Sequence, residues 1–228
     1  MIDHAHDLAS VRDATERVLT AAAGLDNASV AEPSRLPGWS RGHVLAHIAR
    51  NADALVNVLE GRPMYATASM RDADIDRDAP RPLDVQLADV RESGARFQDA
   101  GAAPADWSRT VELRNGVTDS ASRVPFRRWV EVELHHVDLG IGYELEDLPE
   151  EFTQREIDFL VERFTGHPDV PSTQLSDGTH AWSTGRAADK PEVTVTGRPA
   201  DLLGWLCGRR DGAALAVDGD SLPALPPL

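Results

Sequence analysis

One stretch of eleven residues, VEVELHHVDLG from Val130 to Gly140, holds two glutamates, two adjacent histidines and an aspartate among valines and leucines. Wound as a helix, it places Val130, Leu134 and Val137 on one apolar stripe, with Phe126 a turn earlier. Glu131 and His135, four residues apart, share one flank of that stripe, and Asp138 follows three residues later on the same flank. Glu133 and His136 fall on the opposite flank, where solvation or packing is their expected role. A carboxylate and an imidazole at this spacing can share one divalent cation, one through a charged oxygen and the other through a borderline-soft nitrogen. Two ligands do not make a metal site, so a third has to come from another helix. The segment HVLAHIA offers His43 and His47. Val44, Leu45 and Ile48 form its apolar stripe, His47 sits at the edge of that stripe, and His43 falls in the first turn, where a solvated role beside the helix cap is expected. On spacing alone, a Glu–His pair is ordinarily a solvated contact, and a single histidine at an apolar edge is ordinarily a satisfied core residue.

The elements that must position these groups read as follows. Residues 3–23 form an amphipathic helix with Leu8, Val11, Val18 and Leu19 inward, stopped by Gly24. SRLPG at 34–38 is a turn. Ser40 caps a second helix that carries His47 and ends before Gly61 and Pro63. Residues 64–82 are polar and read as a long connection, beyond the usual limit of about 15 residues, so a functional loop is expected there. A third helix covers 83–100, residues 105–119 are mixed with a turn at RNG, and the fourth helix carries the opening stretch to Gly140. Beyond Pro149 the pattern changes. One more helix, EEFTQREIDFLVERF, is followed by a turn-rich stretch at 171–190. EVTVTG alternates like a strand, ADLLGWLCG is a short helix, ALAVDG is a second strand, and the Pro-rich tail is extended. The predicted fold is α+β, with a four-helix bundle over residues 1–148 and a small α/β domain over 149–228.

Composition narrows the function. Hydrophobic residues make up 41% of the chain, enough for an ordinary core. The net charge of -15 argues against nucleic acid, whose phosphates need clustered Lys and Arg. No apolar run approaches the roughly eighteen residues of a membrane span, and MIDHAHDLAS lacks the basic and apolar regions of a secretory signal, so a cytoplasmic protein is expected. The single cysteine, Cys207, rules out an internal disulfide and a Cys-rich zinc site, and is read as a small buried residue. His4 and His6 lie near the terminus and are expected to be unordered. His167 and His180 fall in loops without a partner at ligand spacing.

The segments LPGWSRGHVLAHIARNADAL, MYATASMRDADI and EVELHHVDLG, taken together, resemble the mycothiol-dependent maleylpyruvate isomerase family, within the superfamily of DNA-damage-inducible-type, metal-binding four-helix bundles. The resemblance covers nearly the whole chain. VTVTGRPADLLGWLCGRRDG is similar to the family's C-terminal domain, which has a sterol-carrier-like fold. The histidine-bearing helix and the Glu-x-x-x-His helix mark the superfamily. The Met64–Tyr65 pair, separated from Arg71 by five residues, and Gly208–Arg209 are more telling of the isomerase itself. By position the resemblance implies three zinc ligands, His47, Glu131 and His135, and two arginines, Arg71 and Arg209, on substrate carboxylates. Arginine suits that role because its planar fork binds a carboxylate through two parallel hydrogen bonds. Arg210, adjacent to Arg209, is an alternative contact. Asp138 is placed either to orient His135 or to make a local helix-end hydrogen bond.

The resemblance also implies the chemistry. Three protein ligands leave zinc an open position. The resemblance implies that this position takes the thiol of mycothiol, a low-molecular-weight cofactor, which zinc deprotonates. Addition of the thiolate to the cis double bond of maleylpyruvate lets the bond turn, and elimination leaves fumarylpyruvate, a step of gentisate-type aromatic catabolism. The implied partners are a small dicarboxylate and the thiol, with no nucleic acid, no membrane and a monomer as the default. Two rivals remain. A mycothiol S-transferase acting on other electrophiles would use the same zinc ligands with less need of Arg71 and Arg209. A non-catalytic metal-binding protein would coordinate its metal fully. Two imidazoles and a carboxylate also suit iron, nickel or manganese.

Overall fold

The computed structural model describes residues 3–227. The chain divides into two compact units, the first ending at Tyr143 and the second beginning at Glu144.

The first unit is helical. Its helices are α1 (His4–Ala22), α2 (Asn27–Ala31), α3 (Arg41–Leu59), α4 (Ala68–Asp78), α5 (Leu83–Ala102) and α6 (Val124–Asp138). Between α5 and α6 lies a hairpin of β1 (Thr110–Glu112) and β2 (Thr118–Ser120). Its turn contains Asn115 at φ 61° and Gly116 at φ 72°, a left-handed pair that suits a tight hairpin. Four long helices form the core. α3 and α1 each pack against both α5 and α6. Val11 and Val18 of α1, Leu45, Ile48 and Leu55 of α3, Phe97 of α5 and Val132 of α6 are buried in it. α3 starts where the sequence places it. The Ser40 side chain accepts from the His43 amide, and the His43 ring accepts from the Ser40 amide at 3.2 Å, so His43 completes a capping box.

In the second unit, α7 (Glu150–Phe164) packs on α8 (Pro199–Leu206) and on a four-stranded sheet. The strands are β3 (Thr173–Ser176), β4 (Ala181–Thr184), β5 (Val193–Thr196) and β6 (Ala216–Asp218), in the order β4-β3-β5-β6. β3 and β5 are parallel and the other pairs antiparallel. Val193 and Val195 of β5 point inward, as the alternation of VTVT requires. The architecture is thus α+β, a helical N-terminal region followed by a small sheet-containing one.

Three expectations need correction. The polar stretch 64–82 is not a simple connection, because it contains α4. Thr67 caps that helix, and among the described residues the only apolar ones buried from it are Ile75 and the following Ala79, so no apolar stripe announces it. Arg77 and Arg81 hold the buried Asp78 instead. The turn-rich stretch 171–190 contains β3 and β4, whose sequences TQLS and AWST hide the strand period among small polar residues. His4 and His6 are ordered in α1, where Asp3 caps the helix, His4 stacks on Trp107 at 4.2 Å and His6 meets the edge of Trp129.

Candidate metal centre

α3 and α6 lie side by side, and their facing flanks carry the candidate ligands. Nε2 of His47 is 2.9 Å from Oε2 of Glu131, and Nε2 of His135 is 3.2 Å from the same oxygen. The two imidazoles stand edge to face with centroids 4.5 Å apart. The ligand atoms of all three residues lie within 4.8 Å of one another. His43, in the cap, is not part of this cluster, and neither are Glu133 and His136.

The donor set fits a zinc ion. Tetrahedral zinc with bonds of about 2.0–2.1 Å sets its ligands about 3.3 Å apart, close to the separations already present between the carboxylate oxygen and the two ring nitrogens. His135 is also oriented as a metal histidine should be. Its Nδ1 is 2.8 Å from Oδ2 of Asp138, a carboxylate only 1% exposed, so a proton held at Nδ1 leaves Nε2 facing inward. The two readings of Asp138 therefore merge, since the same contact is local to the helix and fixes the imidazole.

Electrostatics distinguish the three groups. Burial and the neighbouring His135 charge push His47 down to about 4, against the pull of Glu131. Burial alone would raise Glu131, but hydrogen bonds from His135 and His47 hold it well below the usual carboxylate range. For His135, burial is outweighed by the bonds to Asp138 and Glu131, and its pKa rises. One neutral imidazole, one carboxylate and one imidazole steadied by a second carboxylate form a set in which a metal has to displace the protons at the two ring Nε2 atoms.

Arg71, on α4, places Nη2 3.3 Å from Nδ1 of His47 and donates from Nη1 to Asp72 at 2.7 Å. A guanidinium only donates, so Nδ1 of His47 accepts and its ring proton lies on Nε2, toward Glu131. Trp39 covers His47 with ring centroids 5.5 Å apart. Burial pushes the Tyr65 hydroxyl up, against the opposing charge of Arg71, while Glu131 adds to the rise. Tyr65 also lines a cavity of about 610 Å3 together with Arg62, Arg109 and Arg114.

Arg209 belongs to the second unit, where its Nη1 donates to the Cys207 carbonyl at 3.1 Å. Arg210 is held by two carboxylates, donating to Asp201 at 2.6 Å and Glu146 at 2.7 Å. Cys207 is buried.

Sequence reasoning missed two further groups. Arg128 is fully buried on α6, and its Nη1 donates to Oδ1 of Asn51 on α3 at 2.8 Å. The signal was available. Arg128, Glu131, His135 and Asp138 follow a 3-4-3 spacing along one helix flank, and Asn51 lies one turn after His47.

Two family models match the chain. One, described as the mycothiol maleylpyruvate isomerase N-terminal domain, matches residues 11–140, and the MDMPI C-terminal domain matches residues 147–227. The fold is similar to a crystal structure of the mycothiol-dependent maleylpyruvate isomerase, with 26% identity, a TM-score of 0.89, and coverage of 99% of this chain and 97% of that one. A histidine-to-alanine mutant of that isomerase matches over the same shares, at 26% identity and a TM-score of 0.88. No curated protein matches the sequence.

Proposed function

The chain belongs to the mycothiol maleylpyruvate isomerase family, and from that premise we propose that it is a mycothiol-dependent cis–trans isomerase converting maleylpyruvate to fumarylpyruvate. The observation that carries this reading is the convergence of His47, Glu131 and His135 from two helices on one point. These three would hold a zinc ion. When bound, the metal supplies the Lewis acidity that turns a coordinating thiol into a thiolate at neutral pH.

The remaining work falls to the chain's own side chains. Asp138 accepts the Nδ1 proton of His135 and keeps Nε2 turned inward. Trp39 shields the His47 ring from water. Arg71, beside His47, would meet one substrate carboxylate by giving up its contact with the exposed Asp72, and Arg209 would serve the second. Arg210 is a poorer candidate for that task because Asp201 and Glu146 already occupy its fork. In this reading α1, α3, α5 and α6 are the metal-binding four-helix bundle, the second unit is a sterol-carrier-like domain, and the enzyme works as a cytoplasmic monomer.

The test is the isomerisation of maleylpyruvate by the zinc-loaded protein, followed by product absorbance with and without mycothiol, beside His135→Ala. Turnover should require the thiol and fall about a thousandfold or more in the variant, matching the several kcal/mol that a Lewis acid contributes. Absence of turnover in the loaded wild-type protein rules out the isomerase reading and turns the search to electrophiles for an S-transferase.

A further inference from the structure

A second contact between α3 and α6 lies one turn from the first. His47 meets Glu131, and Asn51, four residues after His47, accepts from Arg128, three residues before Glu131. Arg128 is 0% exposed. Its Nη1 has Asn51 as a partner, but Nε and Nη2, both buried, have none. Burial lowers its pKa to about 10, and Glu131 is the foremost of the charges that oppose the shift.

A guanidinium buried with two idle donors is costly, since each unpaired polar group forfeits its hydration and the charge loses more. A hydrophobic side chain of the same length would pack the site at less cost. The arginine therefore serves something other than the stability of the helix pair. It cannot serve by touching a substrate, because the idle nitrogens are closed to solvent. The nearest carboxylate along its own helix flank is Glu131, three residues on, and its charge is the foremost that acts on the guanidinium. Both histidines meet Oε2 of that carboxylate, which leaves Oε1 as the oxygen that Arg128 can address.

We propose that Arg128 is a positioning residue for the metal centre: Asn51 fixes its buried guanidinium one turn from Glu131, and Nε and Nη2, which meet no partner among the described residues, are the donors that would take Oε1 of Glu131 once a metal engages Oε2. The inference rests on the reading of His47, Glu131 and His135 as metal ligands. Carboxylates that bind metals are commonly steadied by such outer hydrogen bonds, and losing one weakens metal binding about 10- to 100-fold.

The experiment compares wild-type protein with Arg128→Met and Arg128→Lys, measuring zinc affinity by competition with a chromophoric chelator and the melting temperature of the metal-free protein. Arg128→Met should bind zinc about 10- to 100-fold more weakly, with a melting temperature unchanged or raised. Removing a positive charge would by itself tighten the binding of a cation, so weaker binding reports the lost hold on Glu131. Unchanged or tighter binding by a folded Arg128→Met protein overturns the proposal. If that variant does not fold, Arg128→Lys decides. It keeps the charge and loses the fork, and should bind zinc about tenfold more weakly, whereas wild-type affinity would overturn the proposal. A wild-type protein that binds no zinc removes the metal reading and this inference together. Equal affinities in wild type and variants remove this inference alone.

Discussion

Along α6, Glu131 and His135 look toward α3, while Glu133 meets Arg17 of α1 and His136 stacks on Tyr143, so the same two residue types face different neighbours from within six residues. On the α1 side Glu133 is fully buried and both of its oxygens are taken. Oε1 accepts from Arg17 and from Trp129 Nε1 at 2.9 Å, and Oε2 accepts from the Tyr143 hydroxyl at 2.9 Å. His136 stacks on the Tyr143 ring at 4.0 Å. On the α3 side the Glu131 side chain is 34% exposed, and one oxygen serves two imidazoles. The first carboxylate is saturated by three donors, an arginine, a tryptophan and a tyrosine hydroxyl. The second is surrounded by groups that can themselves be ligands. The difference between a structural and a metal-binding Glu–His pair thus lies in what the neighbouring helix supplies, and the spacing within α6 is silent on it.

The sharpest way to break this comparison is to neutralise each glutamate in turn. Glu131→Gln should lower mycothiol-dependent turnover by about a thousandfold and leave the melting temperature nearly unchanged. Glu133→Gln should do the reverse. Removing one member of a buried ion pair costs about 3–5 kcal/mol, and the partly exposed Arg17 sets the expected loss near the lower end. Zinc affinity in that variant should match wild type. If Glu133→Gln loses zinc at an unchanged melting temperature, the assignment of the two flanks is inverted.

A smaller effect sharpens the metal flank itself. A metal must displace the proton from Nε2 of His135, so affinity depends on pH. Burial would lower the His135 pKa, but the bonds to Asp138 and Glu131 outweigh it and raise it. Because it is raised, the proton competes with the metal at higher pH than it would on a free imidazole. Zinc affinity should be level above that pKa and fall about tenfold per pH unit below it. Asp138→Asn takes away the anion that holds the proton, so the fall should begin at lower pH, while the plateau drops about 10- to 100-fold. Chelator competition from acid to alkaline pH reads both. An identical profile in the variant would show that Asp138 does not act on His135.

Where the sequence was informative, the physics was local. The flank of Glu131, His135 and Asp138 follows from helical period alone, the Ser40 cap from a side chain bonding its own helix, and β5 from strict alternation. The choice of His47 over His43 came from the family resemblance, and the structure puts His43 in the cap and His47 against Glu131. What stayed hidden depends on distant partners. α4 has almost no apolar face and is held by ion pairs with residues beyond it, such as Arg50 on α3. β3 and β4 become strands only by pairing with each other and with β5. The spacing of Arg128 puts it on the ligand flank, but its burial shows only when Asn51 of another helix is seen against it. Glu133 shows no sign in sequence of the arginine that binds it from α1, 116 positions away.

The mildest test asks whether the two flanks are independent. Tyr143→Phe keeps the ring that stacks on His136 and removes only the hydroxyl that donates to Glu133. Glu133 retains Arg17 and Trp129 on its other oxygen. A single hydrogen bond to a charged acceptor contributes about 1.5 kcal/mol, so urea denaturation should show a loss of that order at an unchanged slope. The substitution is on the far side of α6 from the ligands. Zinc affinity and turnover should therefore stay within about twofold of wild type, as expected for sites without shared partners. A parallel drop in zinc affinity would mean that the Glu133 network sets the pose of α6 against α3. The saturated flank would then be part of the metal centre's support, and the contrast between the flanks would be one of distance from the ion, with no difference in role.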